Sequence, residues 1–250
     1  FRDNYKSIAE LSAKELRLGG LRIDPKTNIG SRITYYNNVK IRNLKNQKSE
    51  ITQVKGLPKN PKLSNISWSP DQKRIALTNT TETGVELWVL ELENGSVTKL
   101  TESNLNSNIG SVINWFSDSE NMLVKMISNN RRPLIDTNKI VPDGPTISTN
   151  FGEKAQNRTY QDLLKNKFDE HNFEQLSTSS IYKVSIDGSV KKWMDDGMYR
   201  TISFSPNGEY VMISQINKPF SYLVTYSRFP TETNIYNKDG DFVSNLQKVP

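Results

Sequence analysis

Three stretches of the chain repeat one pattern: residues 67–77 read SWSPDQKRIAL, residues 114–124 read NWFSDSENMLV and residues 203–213 read SFSPNGEYVMI. The second position of each stretch is aromatic, as Trp68, Trp115 and Phe204. Polar turn-forming residues follow, and an apolar run typical of a β-strand comes after them. The repeat therefore predicts three copies of one strand–turn–strand unit.

A second pattern follows these stretches and predicts β-hairpins. Asn94-Gly95, Asp187-Gly188 and Asp239-Gly240 each separate two runs that are rich in β-branched and aromatic residues. Asn-Gly and Asp-Gly are strong signals for the tight turn of a hairpin. Each repeat unit is therefore expected to contain four short strands.

The spacing of the units favours a β-propeller. Trp68 and Trp115 are 47 residues apart, and Phe204 follows after 89 more. Blades of four strands recur every ~40–50 residues, so the longer interval holds one blade plus an insertion. A β-sandwich is the alternative, although sandwiches do not usually repeat such a turn at a fixed period. We expect an all-β propeller over residues 33–250, with blades near residues 33–57, 63–101, 110–193 and 198–247.

Two segments do not fit the blade pattern. Residues 1–32 predict an N-terminal helix, with its apolar stripe at Ile8, Leu11, Leu16 and Leu18 and its end at Gly19-Gly20, and then an extended arm from Leu21. The insertion, residues 130–178, predicts a second helix capped near residues 159–162 and running to Leu176. The first helix is expected to pack on the propeller, or else to bind a partner. The insertion is either functional or a plug of the ring.

Composition excludes several classes of site. The 250 residues carry a net charge of +6, no Cys and one His, so disulfides, thiolate sites and multi-histidine metal sites cannot form within the chain. Basic and acidic residues are interleaved, which argues against nucleic acid as a partner. No apolar stretch approaches the ~18 residues of a membrane span. We expect no metal and no cofactor.

No complete catalytic motif occurs in the sequence. G-x-S-x-G, the P-loop, G-x-G-x-x-G and H-E-x-x-H are all absent. His171 stands in the charged stretch DEHN of residues 169–172, which favours a solvent-facing side chain over a buried base. A closed ring needs about four to eight blades, so the chain is expected to be the front part of a longer polypeptide.

Several motifs resemble the glutamyl endopeptidases, which belong to the prolyl oligopeptidase group of serine peptidases. They are LRLGGLRIDP at residues 16–25 with Ser31-Arg32, VPDGP at 141–145, RTYQDLLK at 158–165, and KPFSY at 218–222 followed by RFP at 228–230. An Arg is more usual than Lys218 at that position of the family. The motifs cover nearly the whole chain, and residues 158–165 are the most specific of them.

The resemblance implies a seven-bladed propeller followed by a C-terminal α/β-hydrolase domain, which is not in this chain. That later domain would hold the catalytic Ser, Asp and His, so no catalytic residue is assigned here. The implied activity is cleavage of peptides after Glu, with the propeller gating and helping to select the substrate. The implied partners are a peptide substrate and the remainder of the same polypeptide.

Two alternatives remain open: a non-catalytic propeller that binds a protein or cell-envelope partner, and an inactive peptidase relative that serves as a scaffold. The missing Cys, the many Asn and Lys residues and the family match favour a bacterial periplasm or cell envelope. A plant source would imply the chloroplast.

Arginine is the expected partner for a substrate Glu, because its planar fork binds a carboxylate through two hydrogen bonds. The candidates for substrate binding are Arg228, Tyr222, Arg158, Arg131 and Arg132. Arg228 is favoured because it follows a segment, expected to be a strand, that contains Phe220, Tyr222 and Tyr226. A purely structural role, bridging blades or capping a loop, is the alternative.

Overall fold

The computed structural model describes residues 8–44, 51–136, 152 and 160–250. The described part is built mainly from antiparallel strands. It begins with one helical turn, α1 (Ile8–Leu11), and a three-stranded sheet of β1 (Leu16–Leu18), β2 (Leu21–Asp24) and β3 (Ile29–Gly30). No helix among the described residues is long and apolar enough to span a membrane.

The predicted N-terminal helix is wrong beyond α1. Leu16 and Leu18 lie in a strand, and Leu18 pairs with Leu21 across a two-residue turn. Gly19 and Gly20 form that turn with φ values of 59° and 88°. Positive φ at both central residues belongs to the hairpin turn that matches the twist of the flanking strands. The extended arm that begins at Leu21 is present as β2.

A small two-stranded sheet, β4 (Lys40–Ile41) and β5 (Thr52–Gln53), precedes the first complete four-stranded sheet. That sheet contains β6 (Leu63–Trp68), β7 (Arg74–Thr80), β8 (Val85–Glu91) and β9 (Val97–Lys99), paired in chain order. Leu63, Leu77 and Leu90 are buried together beneath Val39 and Val54. The small sheet and the four-stranded sheet therefore share one core.

Two further four-stranded sheets share one long strand, which is the last strand of the first sheet and the first strand of the second. Their strands are β10 (Ile113–Trp115), β11 (Asn121–Ile127), β12 (Ser179–Ser185), β13 (Val190–Phe204), β14 (Tyr210–Ile216), β15 (Thr231–Asn237) and β16 (Phe242–Val249). The first half of β13 pairs with β12, and its second half, from Met198, pairs with β14. Consecutive four-stranded antiparallel sheets are the form of propeller blades, so the all-β propeller prediction is confirmed.

The repeated turns explain why three different sequences form the same unit. In each, the third residue receives a backbone hydrogen bond from the sixth, as Gln72 to Ser69, Ser119 to Phe116 and Gly208 to Ser205. The sixth residue has a φ of 60°, 60° and 73°, respectively. Glycine adopts this backbone without strain, and polar residues tolerate it better than β-branched ones. The turns therefore place the flanking strands in one common register.

The insertion contributes one helix, α2 (Lys167–Ser177), which starts later than predicted. Its N-cap is Asn166, whose side chain accepts a hydrogen bond from the backbone N–H of Asp169 at 2.9 Å. Asp162, predicted to lie in the first turn, has a φ of 59°, which ends any helical path before it reaches Asn166. Thr159, at the start of the predicted cap, lies outside the described residues.

An apolar cluster joins the N-terminal hairpin, α2 and the connection between β14 and β15. Its buried members are Leu18, Ile23, Ile109, Leu164, Phe173, Leu176, Ile216 and Phe229. Phe173 meets Phe220 and Phe229 edge-on, with ring centroids 5.1 and 5.5 Å away. We call this cluster the apolar cap. It fixes the position of every described loop that carries a predicted site residue.

Candidate functional site

The predicted site residues lie on two equivalent connections. Both connections join the second strand of a sheet to the third: residues 128–178 join β11 to β12, and residues 217–230 join β14 to β15. Arg131 and Arg132 open the first, while Tyr222 and Arg228 lie in the second. Arg158 lies outside the described residues. The apolar cap holds the two connections together.

The segment before Arg228 is a loop and not the predicted aromatic strand. It turns from residue 217 onward and ends in a 3-10 helix, Tyr226–Arg228. The N–H of Tyr226 donates to the carbonyl of Gly19 at 2.7 Å, and Phe229 is buried in the apolar cap. These two anchors fix the helical turn at both ends. Arg228 is therefore presented to solvent from a backbone that is held in place.

Tyr222 is bound to the acidic side of α2. Its hydroxyl donates to Glu170 Oε1 at 2.7 Å, and Lys167 Nζ lies 2.9 Å from the same oxygen. Partial burial and the hydrogen bond to Glu170 raise the pKa of Tyr222. Tyr222 thus fixes the loop against the helix and has its hydroxyl proton already engaged.

Glu174, one turn further along α2, lies close to two more cations. Lys218 Nζ lies 2.8 Å from Glu174 Oε1, and Arg132 Nη2 lies 3.9 Å from Glu174 Oε2. The backbone N–H of Arg132 donates to Gln175 Oε1 at 2.7 Å. Arg132 and Lys218 are therefore matched by a carboxylate of the protein itself, which leaves Arg132 the weakest candidate of the described four.

Two arginines on this side of the molecule have no carboxylate within 4.0 Å among the described residues. Arg228 is one of them, and Arg200, in β13, is the other. Arg200 Nη1 donates to the carbonyl of Ser227 at 3.0 Å, next to Arg228 in the chain. Arg228 also lines an open cavity of about 620 Å³ together with Tyr222 and Lys167. Sequence analysis missed Arg200, because no motif marks it.

Arg131 occupies a different environment, half-buried beside the turn between β2 and β3. Its Nη1 donates to Asn28 Oδ1 at 2.8 Å, and burial lowers the pKa of Arg131. It also has no carboxylate within 4.0 Å among the described residues. Arg131 and Arg228 thus remain as guanidinium groups able to receive an external carboxylate.

Among the described residues, no hydroxyl is hydrogen-bonded to His171, the single histidine of the chain. His171 is half-buried, and its Nε2 lies 3.0 Å from the carbonyl oxygen of Pro133. Asp196 accepts hydrogen bonds from the hydroxyls of Ser128 and Ser180. Burial alone would raise the pKa of Asp196, but these two hydrogen bonds and a third from Asn130 lower it. This carboxylate holds loops in place.

Structural comparison finds several propeller-containing proteins at low similarity. An acylaminoacyl peptidase bound to a chloromethyl ketone gives a TM-score of 0.43 at 16% identity, covering 84% of this chain and 28% of that one. A TolB protein of Agrobacterium tumefaciens, described as putative, gives 0.44 at 15% identity, covering 92% of this chain and 75% of that one.

Sequence comparison gives the clearer result, although no family model matches the chain. Two proteins described as "Probable glutamyl endopeptidase, chloroplastic", from Oryza sativa subsp. japonica and Arabidopsis thaliana, are each 30% identical over 97% of this chain. The chain spans about a quarter of their length, 27% and 26% respectively. The resemblance predicted from the motifs is confirmed: this chain is related, over nearly its whole length, to the glutamyl endopeptidases.

Proposed function

We propose that this chain is the propeller part of a serine endopeptidase that cleaves peptides after Glu. The support is the relationship to proteins described as glutamyl endopeptidases, of which the chain spans about a quarter. The remainder of the polypeptide supplies the C-terminal α/β-hydrolase domain with its Ser, Asp and His. This chain contributes recognition of the substrate and control over its access.

Arg228 is the proposed partner of the substrate glutamate. The proposal rests on its exposed guanidinium, which has no carboxylate within 4.0 Å among the described residues. The 3-10 helix and the apolar cap hold its backbone, so that little ordering is needed when the carboxylate binds. Arg200 adds a second positive charge beside Ser227 without a carboxylate of its own among the described residues. The carboxylate of a substrate glutamate would accept two hydrogen bonds from the planar guanidinium of Arg228, and the nearby charge of Arg200 would add to its attraction.

The full-length enzyme with Arg228→Ala tests this role. We expect kcat/KM on a Glu-containing peptide to fall by ~2–5 kcal/mol of transition-state stabilisation, because the substrate carboxylate loses its charged partner. Cleavage of the matched Gln peptide should change little. Arg132→Ala is the control, since Arg132 is exposed and faces Glu174 at 3.9 Å. An unchanged preference for Glu over Gln in Arg228→Ala would refute the assignment.

The propeller is further proposed to admit extended peptides and exclude folded proteins. A complete propeller ring would enclose a narrow central channel, and an extended peptide passes through such a channel more readily than a folded protein. We expect an unstructured peptide to be cleaved rapidly, while a stable folded protein that displays the same sequence on its surface is left intact. Equal cleavage of both substrates would contradict gating.

Labelling with a fluorophosphonate tests the serine mechanism separately. Such reagents react with the activated Ser of a peptidase triad. We expect stoichiometric labelling of the native full-length protein and none after denaturation. A native protein that takes up no label, yet binds peptides, would be the non-catalytic propeller instead.

The proposed location depends on the source. The relatives are described as chloroplastic, which supports the chloroplast for a plant protein. For a bacterial protein we propose the periplasm or cell envelope. Fractionation with an antibody against this chain checks either location, and recovery only with cytosolic markers would contradict it.

A further inference from the structure

Leu223 is an exposed leucine in the connection between β14 and β15. It is 79% exposed, although both of its neighbours in the chain are anchored. The hydroxyl of Tyr222 donates to Glu170 at 2.7 Å, and Val224 packs against the apolar cap. The backbone N–H of Leu223 itself donates to the Ser221 hydroxyl at 3.1 Å. The fold therefore presents this apolar side chain to solvent from a backbone that is held in place.

Leu223 and Arg228 line the same open cavity, which has a volume of about 620 Å³. That volume falls within the ~300–1,000 Å³ of ordinary ligand sites. Four more residues add apolar surface to its wall: Pro219, Phe220, Val224 and Pro230. One accessible space is thus bordered both by apolar side chains and by a guanidinium that has no carboxylate within 4.0 Å among the described residues.

A single exposed leucine is common on protein surfaces and by itself indicates no function. Leu223 differs in its surroundings. Phe220 and Val224, which line the same cavity, contact the apolar cap, whereas Leu223 remains outside it. An apolar group of a ligand placed against Leu223 would be shielded from water by these walls, and that burial is favourable.

We propose that this cavity binds an apolar side chain of the peptide substrate, two residues away from the glutamate, with Leu223 as its contact. The inference rests on the proposed function, in which Arg228 binds the glutamate carboxylate. Side chains two residues apart in an extended peptide project to the same side, ~7 Å from each other. A peptide whose glutamate reaches Arg228 would therefore direct that second side chain into the same cavity.

The test is the kcat/KM of the full-length protein on four matched peptides. Each peptide has Glu or Gln at the cleaved position and Leu or Ser two residues away, and the series is made once for each direction along the peptide. Leu223→Ser removes the apolar contact, and Leu223→Met conserves it. Leu44→Ser is the matched control, because Leu44 is 85% exposed beside the small two-stranded sheet.

We expect Leu to raise kcat/KM ~10-fold over Ser in one direction, the scale of an apolar side chain in an apolar pocket. Leu223→Ser should lose this advantage and keep the preference for Glu over Gln. Leu223→Met and Leu44→Ser should keep both. A parent protein without the advantage, or an advantage that survives in Leu223→Ser, would overturn the subsite.

Arg228→Ala separates this inference from the proposed function. If that variant keeps the preference for Glu while Leu223→Ser loses the advantage of Leu, the role of Arg228 is wrong and the apolar subsite stands. If the full-length protein cleaves none of the peptides, the peptidase function fails. The ratio of Leu to Ser peptides is then measured as dissociation constants by fluorescence anisotropy, with the same two outcomes for the subsite.

Access to the cavity is measured separately in the full-length protein, since Pro250 also lines it. Leu223→Cys introduces a thiol into a chain that has none, and its reaction with a maleimide is compared with that of the parent protein. We expect rapid labelling that the peptide with Glu and Leu slows. A thiol that does not react, or whose reaction a saturating peptide leaves unchanged, would contradict the proposal.

Discussion

Lys125 is a buried lysine, and its burial is expected to destabilise the folded protein near neutral pH. It lies in β11 with 3% of its surface exposed, and its Nζ donates to the carbonyl of Ile109. Burial lowers the pKa of Lys125 from 10.5 to about 7, and no charged group contributes to this shift. The amine is thus largely neutral in the folded protein at pH values where it is charged in the unfolded chain.

The size of this effect follows from the pKa difference. Burial of Lys125 lowers the free energy of unfolding at pH 7 by on the order of 5 kcal/mol, because the charged amine is solvated in the unfolded chain and not in the folded protein. The unfolded state binds more protons than the folded state between pH 7 and pH 10.5. Stability therefore rises with pH in that window, by at most ~1.4 kcal/mol per pH unit, and is independent of this group below it.

Lys125→Met removes the titrating group and keeps an unbranched side chain. The carbonyl of Ile109 loses its donor, which costs ~1–3 kcal/mol, so the net gain at pH 7 is expected to be ~2–4 kcal/mol. Denaturant unfolding of the full-length protein, followed by tryptophan fluorescence at pH 7 and pH 9, measures it. The advantage of the variant should shrink by about 2–3 kcal/mol between the two pH values.

Lys191→Met is the control, because Lys191 is exposed in β13 and should show no such trend. If Lys125→Met and the parent protein had parallel stability curves between pH 7 and pH 9, the amine would be solvated and the reasoning from burial would be refuted.

Three other substitutions probe the described contacts. Gly110→Ala would place a Cβ 2.1 Å from the carbonyl oxygen of Arg200 at a φ of 59°, and should cost more than ~2 kcal/mol by thermal unfolding. Gly188→Ala, at a φ of 88° with nothing within 4 Å, should cost only ~1 kcal/mol, and equal losses would contradict the close contact. Glu15→Gln should lose up to ~3 kcal/mol at pH 7, because the Ser31 hydroxyl holds the pKa of Glu15 at about 2. That loss should vanish as the pH falls from 4.5 to 2, and a loss that persists at pH 2 would exclude the ionic explanation.

The blades could be predicted from the sequence because the residues that form each turn and its flanking strands are close together in the chain. Each repeated turn needs a residue that tolerates positive φ six places into the unit, and Gln72, Ser119 and Gly208 all meet this need. Gly19-Gly20 misled the prediction for a related reason. The same positive φ serves a helix C-terminus and a hairpin turn, and only the pairing of Leu18 with Leu21 distinguishes them.

The candidate sites depend on contacts that no local pattern carries. Asn28 and Arg131 are 103 residues apart, and Arg200 reaches Ser227 across 27 residues. Lys125 is expected to face outward from the alternation of its strand, yet it is buried, and its amine donates to the carbonyl of Ile109 in the connection before β10. The sequence identifies the arginines as candidate carboxylate-binding residues. Their burial, and the lack of a carboxylate near them among the described residues, depend on how distant segments of the chain pack together.

The shared strand β13 has a mechanical consequence. Its two halves belong to adjacent sheets without an intervening loop, so a twist imposed on one sheet is passed directly to the next. By contrast, residues 100–112 join the preceding pair of sheets through an irregular path. That junction is held by a shared buried core and not by a shared strand. The two sheets that share β13 should therefore move as one unit, because any displacement of one of them bends the strand that belongs to both.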